Sequence, residues 1–521
     1  MTLRRLSYFS ASLLLAFAIC ASDASAQFPP APKPFEPKMP QGTGACVINK
    51  PCAEVAPDII KNALGPSPLE NNLRELTDVI GGRVTGSPAA DKAVDWAVKA
   101  FRAAGVDEVL TENFTVPVGW AEGRTRLTVL APQPFPVHLV SIGWSPATPS
   151  SGLTANVVDV GTGSAAGFQR AGTAAKGAIV LVHTNLLKTW DDLMGEYYNE
   201  PAIINRAVNA GASAIFWMST RPYLLLYRHN LSITGQLERL PQAVLAREDA
   251  LRMARFIAAG QIVKAHLDMP NKITKHATSE NVVAEIRGSE KPREFVILGA
   301  HLDSWELGTG ALDDGCNAAM VIDAARAIRA SGSIPKRSIR FVLFTGEEQG
   351  MLGSWAYALA HRAELDKMDA AIIFDSGDGK VTGYSLGGRK DIAANVAQAL
   401  KPLASFGPFE NTFDADIGTD SFDFLLEGVP TLVANQEPDD YMINYHAASD
   451  TYDKVDFAQL KRNEAIAAVT AYAIADLPQR LGVRQSRTQI GRLMTRTGLE
   501  KEMKETGLWP LWVDGKRGRQ P

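Results

Sequence analysis

From residue 295 to residue 434, short apolar runs alternate with helical patterns, and this alternation confines the chain to an α/β architecture. Strands are expected at 295–298, 340–344, 371–374 and 431–434, with helices at 316–330, 354–362 and 392–400 between them. Strands separated by helices form a mostly parallel sheet sandwiched by helices on both faces. Upstream, 71–80 and 90–104 read as helices, the second with Val94, Ala97, Val98 and Phe101 at helical spacing and Gly105 as its stop. Both are expected to cap the core that the later segments build.

Between residues 120 and 272 the character changes. Short strands such as 127–130 and 178–182 are separated by Gly, Pro and Ser turns, and a helix at 202–210 leads into a strand at 214–218. The stretch reads as a smaller α/β domain inserted into the larger one, dividing the core into 56–119 and 273–479. At the N-terminus, Arg4 and Arg5 precede an apolar run at 11–19, and Ala24-Ser25-Ala26 follows. That is the pattern of a secretory signal (1–26) cleaved after Ala26, and the run is too short to span a membrane. An exported chain, periplasmic or extracellular, is expected. Six prolines between 29 and 40 then make 27–55 a linker.

Export agrees with the cysteines: Cys46 and Cys52 lie close enough for a short disulfide, and Cys316 inside a helical pattern reads as a buried thiol. A net charge of −4 leaves no basic footprint for nucleic acid. The tail, 480–521, carries ten basic residues against four acidic. It reads as a helix packed through Leu508, Trp509, Leu511 and Trp512, with a partner-binding extension as the alternative.

Functional residues of an open α/β sheet gather at the carboxyl ends of its strands. Here those ends carry His301 and Asp303, Glu347 and Glu348, and Asp375; Asp313 and Asp314 lie in the first strand–helix loop, and Tyr445 and His446 follow the last strand. Singly, each has an ordinary reading as a helix cap, a hydrogen-bonded histidine or a solvated carboxylate. Jointly, imidazoles and carboxylates around one crevice suit Zn²⁺, and two ions fit if one carboxylate bridges them.

Three motifs, Gly299-Ala300-His301-Leu302-Asp303-Ser304-Trp305, Gly310-Ala311-Leu312-Asp313-Asp314-Gly315 and Thr345-Gly346-Glu347-Glu348-Gln349-Gly350, together resemble the co-catalytic dizinc exopeptidases of metallopeptidase family twenty-eight, in particular the carboxypeptidase Q branch. The resemblance runs from about Asn71 to Asp456 and includes Gly82-Arg83-Val84-Thr85-Gly86-Ser87. It implies a zinc-exopeptidase fold with an inserted protease-associated-like domain, two zinc ions per chain, peptide substrates and a homodimer. It also implies roles: Asp313 bridging, His301 and Asp375 on one ion, Glu348 and His446 on the other, and Glu347 as general base. Asp303 is similar to a carboxylate that fixes the tautomer of the ligating imidazole, and Tyr445 to a residue that steadies the oxyanion. Asp378 is a rival to Asp375.

Three other readings compete. A glutaminyl-cyclase-like transferase on the same fold keeps one zinc, whereas all five ligand positions are filled here. A non-catalytic receptor-like binding module would have lost ligands. Gly383-Tyr384-Ser385-Leu386-Gly387 matches a serine-hydrolase nucleophile elbow, which requires a helix directly after it; Gly388 follows instead.

Overall fold

The computed structural model describes residues 50–230 and 233–521. The signal pattern and Cys46 lie outside the described residues, so the Cys46–Cys52 bridge does too.

The main sheet has seven strands, in the order Glu108–Val116, Ala277–Ile286, Arg337–Phe344, Lys291–His301, Met368–Ile373, Thr431–Gln436 and Val381–Ser385. The four strands from Arg337–Phe344 to Thr431–Gln436 are mutually parallel, and antiparallel strands flank them. Parallel strands covered on both faces read as continuous apolar runs, as in Phe295, Val296, Ile297 and Leu298, all fully buried. The cover includes the helices Cys316–Ala330 and Phe457–Asp476, buried along almost their whole length.

Local signals set several boundaries. In Pro88–Ala104 the Ser87 hydroxyl accepts from the Ala90 N–H, Pro88 opens the helix, and Gly105 closes it with a left-handed φ of 82°. Two boundaries differ from expectation. A helix, Cys52–Leu64, begins inside the stretch read as linker. The helix expected to start after Pro201 runs from Trp190 to Asn209, launched by a reciprocal cap between Thr189 and Asp192. Pro201 forfeits only the bond to the Tyr197 carbonyl, which the long helix tolerates.

A second, eight-stranded sheet is built wholly from residues 126–268, with a parallel centre formed by Leu153–Asp159, Ile179–Val182, Ala214–Met218 and Gln242–Leu245. The chain enters and leaves this region side by side, because Gly119–Ala121 pairs antiparallel with Lys272–Thr274. Among the described residues no helix is long and apolar enough to cross a membrane.

The tail packs onto the main body. Leu508 and Trp512 are buried with Ile490, Leu493 and Met494 against Phe422 and Leu426, while Trp509 and Leu511 are half-buried beside them. Arg517, fully buried, holds both oxygens of Asp423 at 2.7 and 2.8 Å and donates to the Gly350 carbonyl at 3.2 Å. The tail therefore braces the loop that carries Glu347 and Glu348. Replacing Arg517 with Met leaves the buried Asp423 carboxylate without its cation and with the Ser354 hydroxyl, 3.0 Å away, as donor, a loss expected to cost about 3–5 kcal/mol. Urea unfolding checks this, and a cost under about 1 kcal/mol, the range of an exposed pair, would show that the tail is not a structural part.

Candidate metal centre

Each ligand candidate is delivered by the carboxyl end of a parallel strand or by the loop beyond it. His301 ends Lys291–His301, Asp375 lies two residues past Met368–Ile373, and Glu347 and Glu348 follow Arg337–Phe344. Asp313 comes from the loop before Cys316–Ala330, and His446 follows the short helix Tyr441–Asn444. Two triads result: His301, Asp313 and Asp375, then Asp313, Glu348 and His446, each with its donor atoms within 4.8 Å of one another.

Asp313 belongs to both. Its Oδ1 lies 3.2 Å from His301 Nε2, and its Oδ2 lies 3.2 Å from His446 Nε2. Asp375 Oδ1 stands 3.3 Å from His301 Nε2, and Glu348 Oε2 stands 2.9 Å from His446 Nε2. Both imidazoles are oriented by backbone carbonyls. His301 Nδ1 meets the Asp303 carbonyl at 2.9 Å, and His446 Nδ1 meets the Arg228 carbonyl at 3.1 Å. A carbonyl accepts only, so each ring keeps a proton on Nδ1 and aims Nε2 at the cluster, where it becomes a lone-pair donor once a cation displaces the second proton.

This corrects the reading of Asp303 in one respect. Its main-chain oxygen fixes the tautomer, while its carboxylate stands 3.8 Å from the ring nitrogen. The carboxylate instead ties loops together: Thr85 donates to it at 2.7 Å and the Glu347 N–H at 3.3 Å. Thr85 Oγ1 also accepts from the Gly346 N–H at 2.8 Å. Beside it, Arg83 is buried and donates to the carbonyls of Leu302, Thr309 and Gly310. Asp450 completes the cradle by accepting from the Ala311, Leu312 and Asp313 N–H groups at 3.0, 2.7 and 3.2 Å. Asp314 accepts from the His301 N–H at 3.1 Å.

Asp378 is not brought to the centre. Its carboxylate accepts from the Asp456 N–H at the entry to Phe457–Asp476, and burial pushes its pKa up to about 6. Ser385 is no nucleophile either: its hydroxyl donates to the Asp414 carbonyl at 2.8 Å, and left-handed Gly387 and Gly388 follow it instead of a helix. Tyr445 stacks on His446 with ring centres 3.7 Å apart, and its hydroxyl meets that of Tyr197 at 2.7 Å.

The electrostatics are those of a cation site. Burial pushes Glu348 up to about 7 against the pull of His446. Burial alone would lower His446, but Glu348 and Asp313 raise it to about 9. Burial likewise raises Glu347, and Asp375 adds to the shift; Glu347 itself is half-buried and stands outside both triads. Buried Asp313 Oδ2 and Glu348 Oε1 have no hydrogen-bond donor. Unsatisfied buried carboxylate oxygens facing two imidazole Nε2 atoms form a donor set that fits Zn²⁺. A narrow crevice with a volume of about 10 Å³ opens onto it between Trp305, Gly308, Asp313, Glu348 and His446.

The sequence patterns missed the supports contributed from afar: Arg83, Thr85, Arg228 and Tyr197. The motif around Arg83 was visible, but its partners lie more than two hundred residues away. Thr85→Val, which removes only the hydroxyl, is expected to lower kcat/KM about 10–100-fold, the usual cost of losing a group that orients ligands. Thr85→Ser is expected to restore it, and an unchanged rate in the valine variant would remove Thr85 from the support of the site.

Residues 281–471 match the sequence profile of Peptidase family M28. Carboxypeptidase Q of Rattus norvegicus is 31% identical over 412 residues, spanning 78% of this chain and 85% of the relative. The crystal structure of a peptidase M28 precursor from Shewanella amazonensis superposes with a TM-score of 0.75 at 29% identity, covering 84% of this chain and 99% of the other. A zinc aminopeptidase from Bacillus subtilis shares the fold with a TM-score of 0.62 at 21% identity, covering 78% and 93%.

Proposed function

The chain belongs to peptidase family M28, and from that premise we propose that this metallopeptidase is an exported two-zinc exopeptidase acting on dipeptides and short peptides. The observation that carries the reading is Asp313, whose two oxygens stand 3.2 Å from two different imidazole nitrogens. A carboxylate so placed would serve both cations, with His301 and Asp375 the residues that would hold one and Glu348 and His446 those that would hold the other. When bound, the zinc ions supply Lewis-acid chemistry, acidifying water and polarising the scissile carbonyl.

The chain's own residues do the rest. Glu347 is half-buried and free of either triad, so its carboxylate can take a proton from the attacking water and pass it to the leaving amine. Adjacent Glu348 is committed to the cation, which explains two consecutive glutamates with different tasks. Tyr445, its hydroxyl held by Tyr197 at 2.7 Å, is the proposed donor to the oxyanion. Asp303 and Thr85 keep the Glu347 backbone in register with His301.

We read residues 120–272 as a protease-associated-like domain that covers the centre. Support comes from its reach: Arg228 orients His446, and Tyr197 holds Tyr445. Such a cover restricts substrate length, which favours dipeptides. The signal pattern at residues 1–26 supports export to the periplasm or the extracellular space.

Glu347→Gln is expected to keep its zinc yet lose about 10²–10⁴-fold in kcat, the span of a positioned general base. Asp313→Ala is expected to lose both metal and activity. Unchanged hydrolysis by the glutamine variant would exclude Glu347 as the base. A panel of dipeptides and longer peptides with blocked N-termini checks the substrate class: hydrolysis confined to short, free substrates is expected, and efficient cleavage of long blocked peptides would overturn it.

A further inference from the structure

A third group of metal-type side chains sits apart from the proposed dizinc centre and shares no residue with it. Glu196 and Glu200 lie one turn apart on the helix Trp190–Asn209, so both carboxylates face the same way, and His229 meets them from a later segment. All three are more than nine-tenths buried, with exposures of 8%, 4% and 1%.

Their contacts are those of ligands around a centre rather than of hydrogen-bonded partners. His229 Nε2 stands 3.2 Å from Glu200 Oε2 and 4.0 Å from Glu196 Oε2. Nevertheless, neither nitrogen of His229 makes a hydrogen bond, and Glu200 Oε2 makes none. The same signature marks the dizinc centre, where His446 Nε2 and Asp313 Oδ2 are 3.2 Å apart and the carboxylate oxygen has no donor. A buried imidazole with both nitrogens unsatisfied costs free energy unless something fills the gap.

Charge points the same way. Among the described residues, the cation paired with them is Arg221, whose Nη1 is 3.7 Å from Glu196 Oε1, and Tyr227 donates to Glu196 Oε2 at 3.2 Å. Glu200 has neither. Burial lowers the His229 pKa to about 4 and raises those of Glu196 and Glu200, so no member of the empty cluster serves as counter-ion to the others. Two carboxylates and a neutral imidazole form a ligand set that suits a divalent first-row ion of the zinc type.

We propose that Glu196, Glu200 and His229 form a third cation site, structural in role, that pins the helix Trp190–Asn209 to the segment ending in His229. The preceding residue, Arg228, orients His446, and Tyr197 on the same helix holds Tyr445. The ion therefore locks the covering region onto the dizinc centre without touching substrate.

Elemental analysis of the full-length protein and of His229→Gln and Glu200→Gln, each dialysed against zinc-free buffer, tests the site. Each variant is expected to retain about one zinc equivalent fewer than wild type. Equal content in wild type and both variants would overturn the proposal. Should the variants fail to fold, crystals of the wild-type protein measured at the zinc absorption edge decide it. An anomalous peak among the three side chains supports the site, and peaks only at the His301–Asp313–His446 centre, or none, overturn it. A peak here with none at that centre would instead overturn the two-zinc reading of the function.

Discussion

An excess of buried negative charge at one edge of a parallel sheet is the constraint on which the rest of this molecule depends. Asp303, Asp313, Asp314, Glu348, Asp420 and Asp450 are all buried there, with Asp375 and Glu347 at the margin, and the buried guanidinium of Arg83 and two imidazoles stand among them. Carboxylates out of water are stable only when paired, protonated or bound to cations. Dications at the two triads would satisfy the unmatched oxygens of Asp313 and Glu348, toward which His301 and His446 already aim Nε2.

That arrangement requires accurate placement, and the fold supplies it in layers. Apolar parallel strands fix where His301, Glu348 and Asp375 emerge. Backbone carbonyls then set the imidazoles, and N–H groups and hydroxyls fix the loops through Asp303 and Asp450. A third layer comes from distant sequence: Arg83 and Thr85 from the N-terminal segment, Arg228 and Tyr197 from the second sheet, and Arg517 from the tail.

Much of this was legible in the sequence, and the limit of legibility has a physical basis. Apolar periodicity and strand-end chemistry depend on residues a few positions apart, so the α/β core and its acidic edge could be read directly. The helix Cys316–Ala330 was anticipated to the residue, and the motif resemblance identified the five side chains that the fold brings into two triads. What escaped depends on long-range contact. Nothing local shows that a main-chain oxygen of Asp303, not its carboxylate, orients His301. Pro201 suggested a helix start, whereas the cap at Thr189 sets the start twelve residues earlier. Glu196, Glu200 and His229 carry no motif, because two of them share a helix face and the third comes from the segment after Ala214–Met218.

On the proposed function, the buried carboxylates act only through the cations they would hold. Chelating the protein, then titrating zinc back while following dipeptide hydrolysis, tests it most directly. The account predicts that activity vanishes on chelation and returns as zinc refills the two triads. Undiminished hydrolysis in thoroughly chelated protein would contradict it.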